Sequence, residues 1–438
     1  MHQIVQLPQA TASDTRLAYE EVKDFGVTDM GHGEPHQWAY RILKEPALTE
    51  ELARSSLSTT RGNTDIVTFQ PCKSYDARSQ DRHEVQSWMN AGGTWTFTAI
   101  FDGHMNHETV DYVVRKLPES VRLSLESLYK LRSPISPQTV SELLSKAITS
   151  ADQAVMSDFM SLFPGGERAL AGASQSLIKR MVNDIDGGGR RYTAVARVLG
   201  GTTALLTLVH ENTDSLWVAN LGDSCAVLGS RNGNSWQSTV INALHNGGND
   251  TELQRIRSEH NGEPECVVDR RVLGWLAPTR AIGDAWLKLP GIYTAKVFSK
   301  IEAPWMHAHA LEKYVPRIIT PPYVSVKPDV YYPNIRHYRR RKGVTDLFLI
   351  TCSDGLIDLT ADGPHCPIEC LARRWVQVVG REIDKEQTTR GGPRANLALK
   401  LLRDAIGGDD LHLASRTLTV EMEDKWTDDT TIIVQRFT

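Results

Sequence analysis

The sequence predicts an α+β fold, a central β-sandwich of two mainly antiparallel sheets flanked by helices. Short β-prone runs separated by turn-length gaps fill the middle of the chain, and two amphipathic helical patterns precede them. Further β-prone runs follow and end the chain. Helices that lie between sheet-forming blocks are typical of a sheet-centred core covered by helices.

The first predicted elements are one strand and two helices. The stretch TWTFTAIF (94–101) alternates bulky and polar side chains, as a strand does. Apolar residues then recur at helical spacing over residues 110–117, until Pro118 interrupts the pattern, and again over residues 140–151. The second helix should begin at Ser136, a capping residue that a proline follows.

The remaining strands predict an antiparallel meander and two closing strands. Four β-prone runs are consecutive, and one of the gaps contains Asn232-Gly233, a pair that favours a tight hairpin turn. Short gaps of this kind exclude the long crossovers of βαβ units. The runs are GTTALLTLV (201–209), SLWVANL (215–221), CAVLG (225–229), SWQSTVI (235–241), DLFLITC (346–352) and TTIIVQRF (430–437).

Composition predicts one main domain with an extension. Residues 1–60 are polar and weakly patterned, so we expect an N-terminal extension there and a single domain over residues 61–438. The formal net charge of −4 argues against a nucleic-acid partner. No apolar run approaches the ~18–20 residues that a membrane-spanning helix needs, so we expect no membrane span.

The cysteines and the first residues bear on the compartment. Six scattered cysteines are too few for a disulfide framework in a chain of 438 residues, which favours a reducing, intracellular compartment. The N-terminus shows neither a secretory signal nor an arginine-rich, acid-poor presequence.

Aspartates mark one end of four predicted strands. Asp102 follows TAIF, Asp223 follows ANLG, Asp354 follows LITCS, and Asp428 and Asp429 precede TTIIV. Clustered carboxylates repel one another and raise their own pKa values, so such a cluster needs a cation. Oxygen ligands select Mg²⁺ or Mn²⁺ over zinc, and such ions suit the hydrolysis of a phosphate ester. Taken singly, each Asp-Gly pair is more often only a turn.

Five motifs, in their order and spacing, resemble those of the type 2C protein phosphatases, a metal-dependent Ser/Thr phosphatase family. They are FDGH (101–104), ANLGDS (219–224), LAPTRAIGD (276–284), CSDGLID (352–358) and DDTTIIV (428–434). The resemblance extends from about residue 76 to the last strand. It implies the family's β-sandwich, with two metals in a cleft at one end, and this agrees with the strands predicted above.

The resemblance also implies a role for each acidic position. Two Mg²⁺ or Mn²⁺ ions are expected, with Asp102 bridging them and the carbonyl of Gly103 binding one. Asp354 and Asp428 would supply the carboxylates of the other metal. A third, more weakly bound ion would use the two remaining positions of these motifs, Asp223 and Asp358.

His104 matches the family's general acid, which protonates the leaving seryl or threonyl oxygen. An imidazole beside a metal–carboxylate cluster holds a proton near neutral pH and can donate it to an alkoxide. The alternative is a histidine that only caps a turn.

The segment SQDRHE (79–84) departs from the family pattern. Gln80 stands where a metal-binding glutamate is expected, whereas Asp81 keeps the second acid of the pair. An amide oxygen can still bind a metal, but one negative charge is lost, so we expect weaker binding. In another register, Asp76 or Glu84 would take the place of the glutamate.

Two further segments bear on substrate binding. Asp76 occupies the position of a phosphate-binding arginine in the family, and Arg78 is the nearest basic candidate for that role. An exposed arginine without function is the alternative. Residues 285–319 form an insertion after the Gly-Asp motif, and we expect a flap there that borders the active site.

These features predict a metal-dependent Ser/Thr protein phosphatase that acts on a phosphoprotein. Within the family the likeness is greatest to the pyruvate dehydrogenase phosphatases, which implies the pyruvate dehydrogenase complex as a candidate substrate and the mitochondrion, with the cytoplasm as the alternative. This likeness depends on HNGGNDTELQRIRSEH (245–260), RVLGWLAPTRAIGD (271–284) and TPPYVSVKPDV (320–330).

The alternative function is a pseudophosphatase that binds phosphoproteins or partners without turnover. Gln80, Asp76 and Cys225 motivate it because each replaces a residue that the family usually has.

Overall fold

The computed structural model describes residues 24–74, 78–90, 92–130, 135–307, 309–340, 344–361, 366–388 and 394–437. Asp76, which was considered for two roles, lies outside these residues.

The described strands are short to medium in length and occur in consecutive runs that helices separate. They are β1 (Phe25–Thr28), β2 (Trp38–Arg41), β3 (Thr59–Arg61), β4 (Thr64–Phe69), β5 (Arg82–Asn90), β6 (Gly93–Phe101), β7 (Gly103–His104), β8 (Gly201–Thr202), β9 (Ala204–His210), β10 (Ser215–Leu221), β11 (Cys225–Asn232), β12 (Ser235–Val240), β13 (Val267–Val268), β14 (Arg271–Val272), β15 (Ile282–Gly283), β16 (Asp329–Tyr331), β17 (Val344–Cys352) and β18 (Thr430–Phe437).

The described α-helices lie mainly before β8 and after β17. They are α1 (Ala47–Ser55), α2 (Glu108–Lys130), α3 (Pro137–Met160), α4 (Gly166–Gly172), α5 (Gln175–Val182), α6 (Arg190–Leu199), α7 (Asp250–Glu259), α8 (Ala285–Lys288), α9 (Gly291–Lys296), α10 (Ile335–Arg340), α11 (Asp354–Thr360), α12 (Ile368–Thr388), α13 (Leu397–Ala405) and α14 (Leu411–Thr419).

Two antiparallel sheets form the centre of the molecule. One has five strands in the order β16-β10-β9-β6-β5, and the other has six in the order β12-β11-β17-β18-β4-β3. The strand pairs within both sheets are antiparallel. The predicted sandwich of two mainly antiparallel sheets is therefore confirmed.

The hydrophobic core lies between the sheets and on their outer faces. Leu205, Leu216 and Val218 of the five-stranded sheet share one buried cluster with Leu228 and Leu349 of the six-stranded sheet. Successive side chains of a strand point to opposite faces, so the intervening residues pack outward. There α2 and α3 cover the five-stranded sheet, and α12 and α13 cover the six-stranded sheet.

Helix α2 continues through Pro118, where the apolar pattern predicted an interruption. A proline inside a helix removes one N–H donor and disturbs the preceding turn. The residues that follow nevertheless keep the same face apolar, and Val121 and Leu125 are fully buried against the sheet. Packing of this face therefore outweighs the local cost of the proline.

Several residues before position 60 pack against elements that follow it. Leu43, Leu48 and Leu52 are buried in the cluster beneath α12 and α13, and β3, which spans position 60, pairs with β4. The segment before residue 60 therefore contributes buried side chains to the core of the main domain. The division into an extension and a domain at residue 60 stays a prediction.

The insertion at residues 285–319 is packed rather than open. Its side chains Trp286, Tyr293, Phe298 and Tyr314 are buried in a cluster that also contains Phe159 of α3. Its role as a flap over substrate stays a prediction.

In the described part of the chain, no helix combines the length and the apolar character needed to cross a membrane.

Candidate active site

Three aspartates that are far apart in sequence converge at one end of the sandwich. Asp102, Asp223 and Asp354 each offer a carboxylate oxygen, and these atoms all lie within 4.8 Å of one another. Asp102 follows β6 and Asp223 follows β10, both in the five-stranded sheet, whereas Asp354 begins α11 directly after β17 of the other sheet. Strands from both sheets therefore deliver carboxylates to one point.

Asp81 lies beside this cluster at the start of β5. It is only 2% exposed, and its Oδ2 accepts a hydrogen bond of 2.6 Å from the Ser353 hydroxyl. Its Oδ1 is buried and has no hydrogen-bond partner among the described residues, and the same holds for Oδ1 of Asp223. Buried carboxylate oxygens without a donor are costly, and a bound cation relieves that cost. The residues present therefore fit a divalent metal.

The protonation of the cluster supports the same interpretation. Burial, followed by repulsion from neighbouring carboxylates, holds the pKa values of Asp102 and Asp354 well above their usual range. Burial and the charge of Asp429 raise the pKa of Asp81 to about 7, and burial also raises the pKa of Asp223. A cation at this position favours the ionised carboxylates and reverses these shifts.

Asp428 and Asp429 have different surroundings. The side chain of Asp428 is 49% exposed, and its charge contributes to the raised pKa of Asp354, so it lies at the edge of the cluster. Asp429 is buried, and its Oδ2 accepts a hydrogen bond of 2.8 Å from the backbone N–H of Gln80. Oδ2 also lies 2.9 Å from the Lys425 ammonium nitrogen. Asp429 thus connects the start of β18 to the segment that carries Asp81.

The remaining sequence-predicted positions differ in their exposure to solvent. Arg78 is exposed just before Gln80, and Asp358 is exposed one helical turn after Asp354. Cys225 is fully buried, and burial raises the pKa of its thiol to about 12. This thiol is therefore unreactive at neutral pH.

Two glycines allow the segments of the cluster to approach closely. A Cβ at Gly103 would lie 2.9 Å from the carbonyl oxygen of Gln80, and a Cβ at Gly355 would lie 2.2 Å from the carbonyl oxygen of Asp429. Neither position has room for a side chain. The glycine beside Asp102 and the glycine beside Asp354 are thus required by packing.

Gly355→Ala is expected to weaken metal binding at least tenfold, because the added methyl group displaces β18 from the start of α11 and moves Asp354. The overpacking should also destabilise the fold by about 1–3 kcal/mol. Mn²⁺ titration calorimetry and urea unfolding measure the two effects. Gly172→Ala is the matched control, since nothing lies within 4 Å of a Cβ there; equal Mn²⁺ affinity in both variants would contradict the packing argument.

His104 is paired with a carboxylate that the sequence did not assign to the site. Its Nε2 lies 2.9 Å from each oxygen of Asp284, which is fully buried. Burial alone lowers the pKa of His104, but the charge and hydrogen bond of Asp284 outweigh it, so the pKa is raised. The signal in the sequence was Gly283-Asp284, the same Gly and Asp adjacency that marks Asp102, Asp223 and Asp354.

The arrangement combines a cation site with a proton donor. The carboxylates can hold divalent metal, and an imidazole whose protonated form is favoured by Asp284 lies two residues after Asp102. Such a combination is suited to the hydrolysis of an ester with a poor leaving group.

Comparisons with known proteins agree with this chemistry. A family model described as protein phosphatase 2C matches residues 67–368. The chain is 27% identical over 386 residues to a protein phosphatase 2C homolog of Schizosaccharomyces pombe, covering 84% of this chain and 79% of that protein. It is 28% identical over 315 residues to the mitochondrial pyruvate dehydrogenase phosphatase 2 of Homo sapiens, covering 65% of this chain.

The coverage of these relatives differs. The chain spans 57% of the human pyruvate dehydrogenase phosphatase 2 and 44% of the mitochondrial pyruvate dehydrogenase phosphatase 1 of Saccharomyces cerevisiae. A solved structure of a serine-threonine phosphatase 2C from Toxoplasma gondii aligns over 87% of this chain and 97% of that one, with a TM-score of 0.47 and 16% identity. Because the family model covers more than half of its length, the chain belongs to the protein phosphatase 2C family, whose members are metal-dependent protein serine/threonine phosphatases.

Proposed function

We propose that this chain hydrolyses phosphoserine and phosphothreonine in proteins with the help of Mg²⁺ or Mn²⁺. The observation that carries the proposal is the convergence of Asp102, Asp223 and Asp354 within 4.8 Å. Asp81 and Asp223 each have a buried oxygen without a hydrogen-bond partner in the described part of the chain, and this supports the proposal because a bound cation would offset the cost of burying such an oxygen.

The residues proposed to hold two ions are those of the cluster and its edge. One ion would be bound by Asp102, the carbonyl of Gly103, Asp81 and Gln80. At Gln80 an amide oxygen takes the place of a carboxylate oxygen. Asp354 and Asp428 serve the other, and a third, weaker position uses Asp223 and Asp358. When bound, such ions lower the pKa of water and neutralise the charge of a phosphoryl group.

His104 is proposed as the general acid. The Asp284 carboxylate favours the protonated imidazole, so a proton is available near neutral pH. An alkoxide is a poor leaving group. A proton donated to its oxygen as the P–O bond breaks neutralises the charge that develops there and so lowers the barrier. Arg78 is proposed to contact the substrate phosphate from the exposed rim, where a planar guanidinium can bind two oxygens at once.

A pseudophosphatase is the second candidate function, and Gln80 is the observation that favours it. The amide removes one negative charge from the site, and the Lys425 ammonium nitrogen lies 2.9 Å from Asp429 beside the same segment. Both features reduce the attraction for a cation.

Phosphate release from a phosphoserine peptide, measured with Mn²⁺, with Mg²⁺ and with chelator, tests the proposal. We expect turnover by the wild type that needs metal, and a lower metal concentration at half-maximal rate for Gln80→Glu because it adds a ligand charge. No turnover by the wild type together with activity in Gln80→Glu would overturn the enzyme proposal in favour of the pseudophosphatase.

The pyruvate dehydrogenase complex is the proposed substrate and the mitochondrion the proposed compartment. Relatives named as mitochondrial pyruvate dehydrogenase phosphatases support both. A faster rate on the phosphorylated complex than on an unrelated phosphoprotein of equal phosphate content is expected. Equal rates would contradict the substrate proposal.

A further inference from the structure

A small sheet beside the two large ones brings His104 and Asp284 together. Strands β7, β8 and β15 form a three-stranded antiparallel sheet in the order β15-β8-β7. In its register Gly201 of β8 faces His104 on one side and Gly283 on the other. His104 and Asp284 are 180 positions apart in sequence, and this sheet brings them next to each other.

The contact itself is specific in geometry. Nε2 of His104 lies 2.9 Å from both oxygens of Asp284, so the imidazole N–H is centred on the carboxylate. Asp284 is 0% exposed, so solvent does not compete for that hydrogen bond. A charge-assisted hydrogen bond in a buried setting holds both the plane and the tautomer of the ring.

Gly201 leaves the space that the pair occupies. A Cβ at this position would lie 2.2 Å from Oδ2 of Asp284 and 2.2 Å from Nε2 of His104. The backbone of Gly201 therefore packs directly against the hydrogen bond. A larger residue at this position would push the side chains of His104 and Asp284 apart.

The backbone of Asp284 is held in an unusual conformation. Its φ is 51°, in the left-handed region that few residues other than glycine adopt, and its N–H donates to the Gly200 carbonyl at 3.0 Å. The preceding N–H, of Gly283, donates to Asp152 at 2.9 Å, and Lys288 binds the same carboxylate oxygen at 2.7 Å. The surroundings thus fix the direction in which the Asp284 side chain points.

We propose that Asp284 is a positioning residue that orients His104 for protonation of the leaving oxygen, and this inference rests on the proposed phosphatase function. The Asp284 carboxylate keeps the proton on Nε2, so the proton that is transferred comes from Nδ1. Water loses a proton to solvent and forms the new bond to phosphorus, the bond from phosphorus to the seryl or threonyl oxygen breaks, and that oxygen takes the Nδ1 proton. The products are inorganic phosphate and the free hydroxyl, and Nδ1 regains a proton from solvent.

A purely structural role for Asp284 makes a different prediction. If a residue only holds the loop, its replacement lowers the rate of hydrolysis of every substrate by a similar factor. A residue that orients the general acid matters only where the leaving group needs a proton. Nitrophenolate leaves without one, whereas a seryl alkoxide does not.

The test compares a phosphoserine peptide with p-nitrophenyl phosphate for Asp284→Asn. The asparagine replaces one of the two oxygens that accept the Nε2 proton with an NH₂ group that cannot accept it, so the ring is no longer held in its orientation and we expect kcat on the peptide to fall roughly 10²-fold. The KM for the peptide and the rate on p-nitrophenyl phosphate should change less than about threefold. Asp65→Asn is the matched control, since it replaces a fully buried carboxylate of β4 that accepts a hydrogen bond from the Leu397 N–H rather than from the His104 pair, and it should affect both substrates in parallel.

A second readout does not depend on turnover. In metal-free protein labelled with ¹⁵N-histidine, with the His104 signal identified by its loss in His104→Gln, neutral His104 should carry its proton on Nε2 in the wild type. Asp284→Asn should shift that population toward Nδ1.

The outcomes separate the two proposals. Parallel losses on both substrates, or an unchanged tautomer in Asp284→Asn, would overturn the positioning role alone. A wild type that releases no phosphate from the peptide at any metal concentration would overturn the phosphatase proposal, and the proton transfer with it.

Discussion

Asp102→Asn is expected to lower kcat for a phosphoserine peptide by roughly 10³-fold, the order of loss seen when a principal electrostatic contact of a transition state is removed. Asp102 lies at the centre of the cluster: after burial, the charges of Asp354, Asp81 and Asp223 all contribute to its raised pKa. The asparagine preserves the shape of the side chain but removes a charge that a cation requires. Steady-state phosphate release at saturating Mn²⁺ measures the loss.

The control for this substitution is Asp409→Asn, an exposed aspartate in the loop after α13. It makes the same chemical change away from the cluster and should leave kcat unchanged. A loss of less than tenfold in Asp102→Asn would contradict the placement of Asp102 at the centre of the site.

Removal of metal is expected to make the stability of the fold fall as the pH rises through neutrality. Asp81 illustrates the sign. Its pKa is about 7 in the folded protein, above the ordinary value of 3.8 for this side chain, so its contribution is present below about pH 4 and is lost as the pH rises toward 7. Above that pH an ionised carboxylate must remain buried without a counter-charge.

Asp81→Asn should therefore stabilise the metal-free protein at about pH 8, by on the order of 2 kcal/mol, since the amide can still accept the Ser353 hydrogen bond without carrying charge. The same substitution should weaken the stabilisation that Mg²⁺ or Mn²⁺ gives the wild type, which is about 2.7 kcal/mol at a metal concentration 100 times the Kd. Urea unfolding with and without chelator measures both effects.

The window for that experiment is about pH 5 to 8. Below about pH 5, Glu252 has the opposite effect: its contribution to the stability of the fold decreases as the pH falls. Burial opposes ionisation of Glu252, but hydrogen bonds from Arg280 and Arg255 lower its pKa to about 2, so its contribution is lost as the pH falls below its unfolded value of 4.5. Metal-free wild type that is no less stable at pH 8 than at pH 5 would contradict the account of the buried carboxylates.

The sandwich could be predicted because its signals are local. Period-2 alternation lies within each strand, and turn residues lie between strands. The pairing of antiparallel neighbours joined by short turns can therefore be predicted without information from distant parts of the sequence. The convergence of Asp102, Asp223 and Asp354 followed from the same signals, because each residue follows a strand that ends at one edge of the fold. The resemblance then provided their roles, which the structure alone does not assign.

The features that the sequence did not reveal depend on distant contacts. The pair of His104 and Asp284 exists because two-residue strands meet on Gly201, and strands that short have no periodicity. The buried state of Asp429, compared with the exposed Asp428, is set by a hydrogen bond to Gln80, 349 positions away. The burial of Leu48 likewise depends on helices near the other end of the chain.

The central claim is that the acidic cluster at the end of the sandwich holds divalent metal. Anomalous diffraction from crystals of the wild-type protein grown with Mn²⁺ tests it most directly. The account predicts anomalous peaks in contact with the carboxylates of Asp102 and Asp354, and their loss in Asp102→Asn crystals. Wild-type crystals with full Mn²⁺ exposure and no anomalous peak at these carboxylates would contradict it.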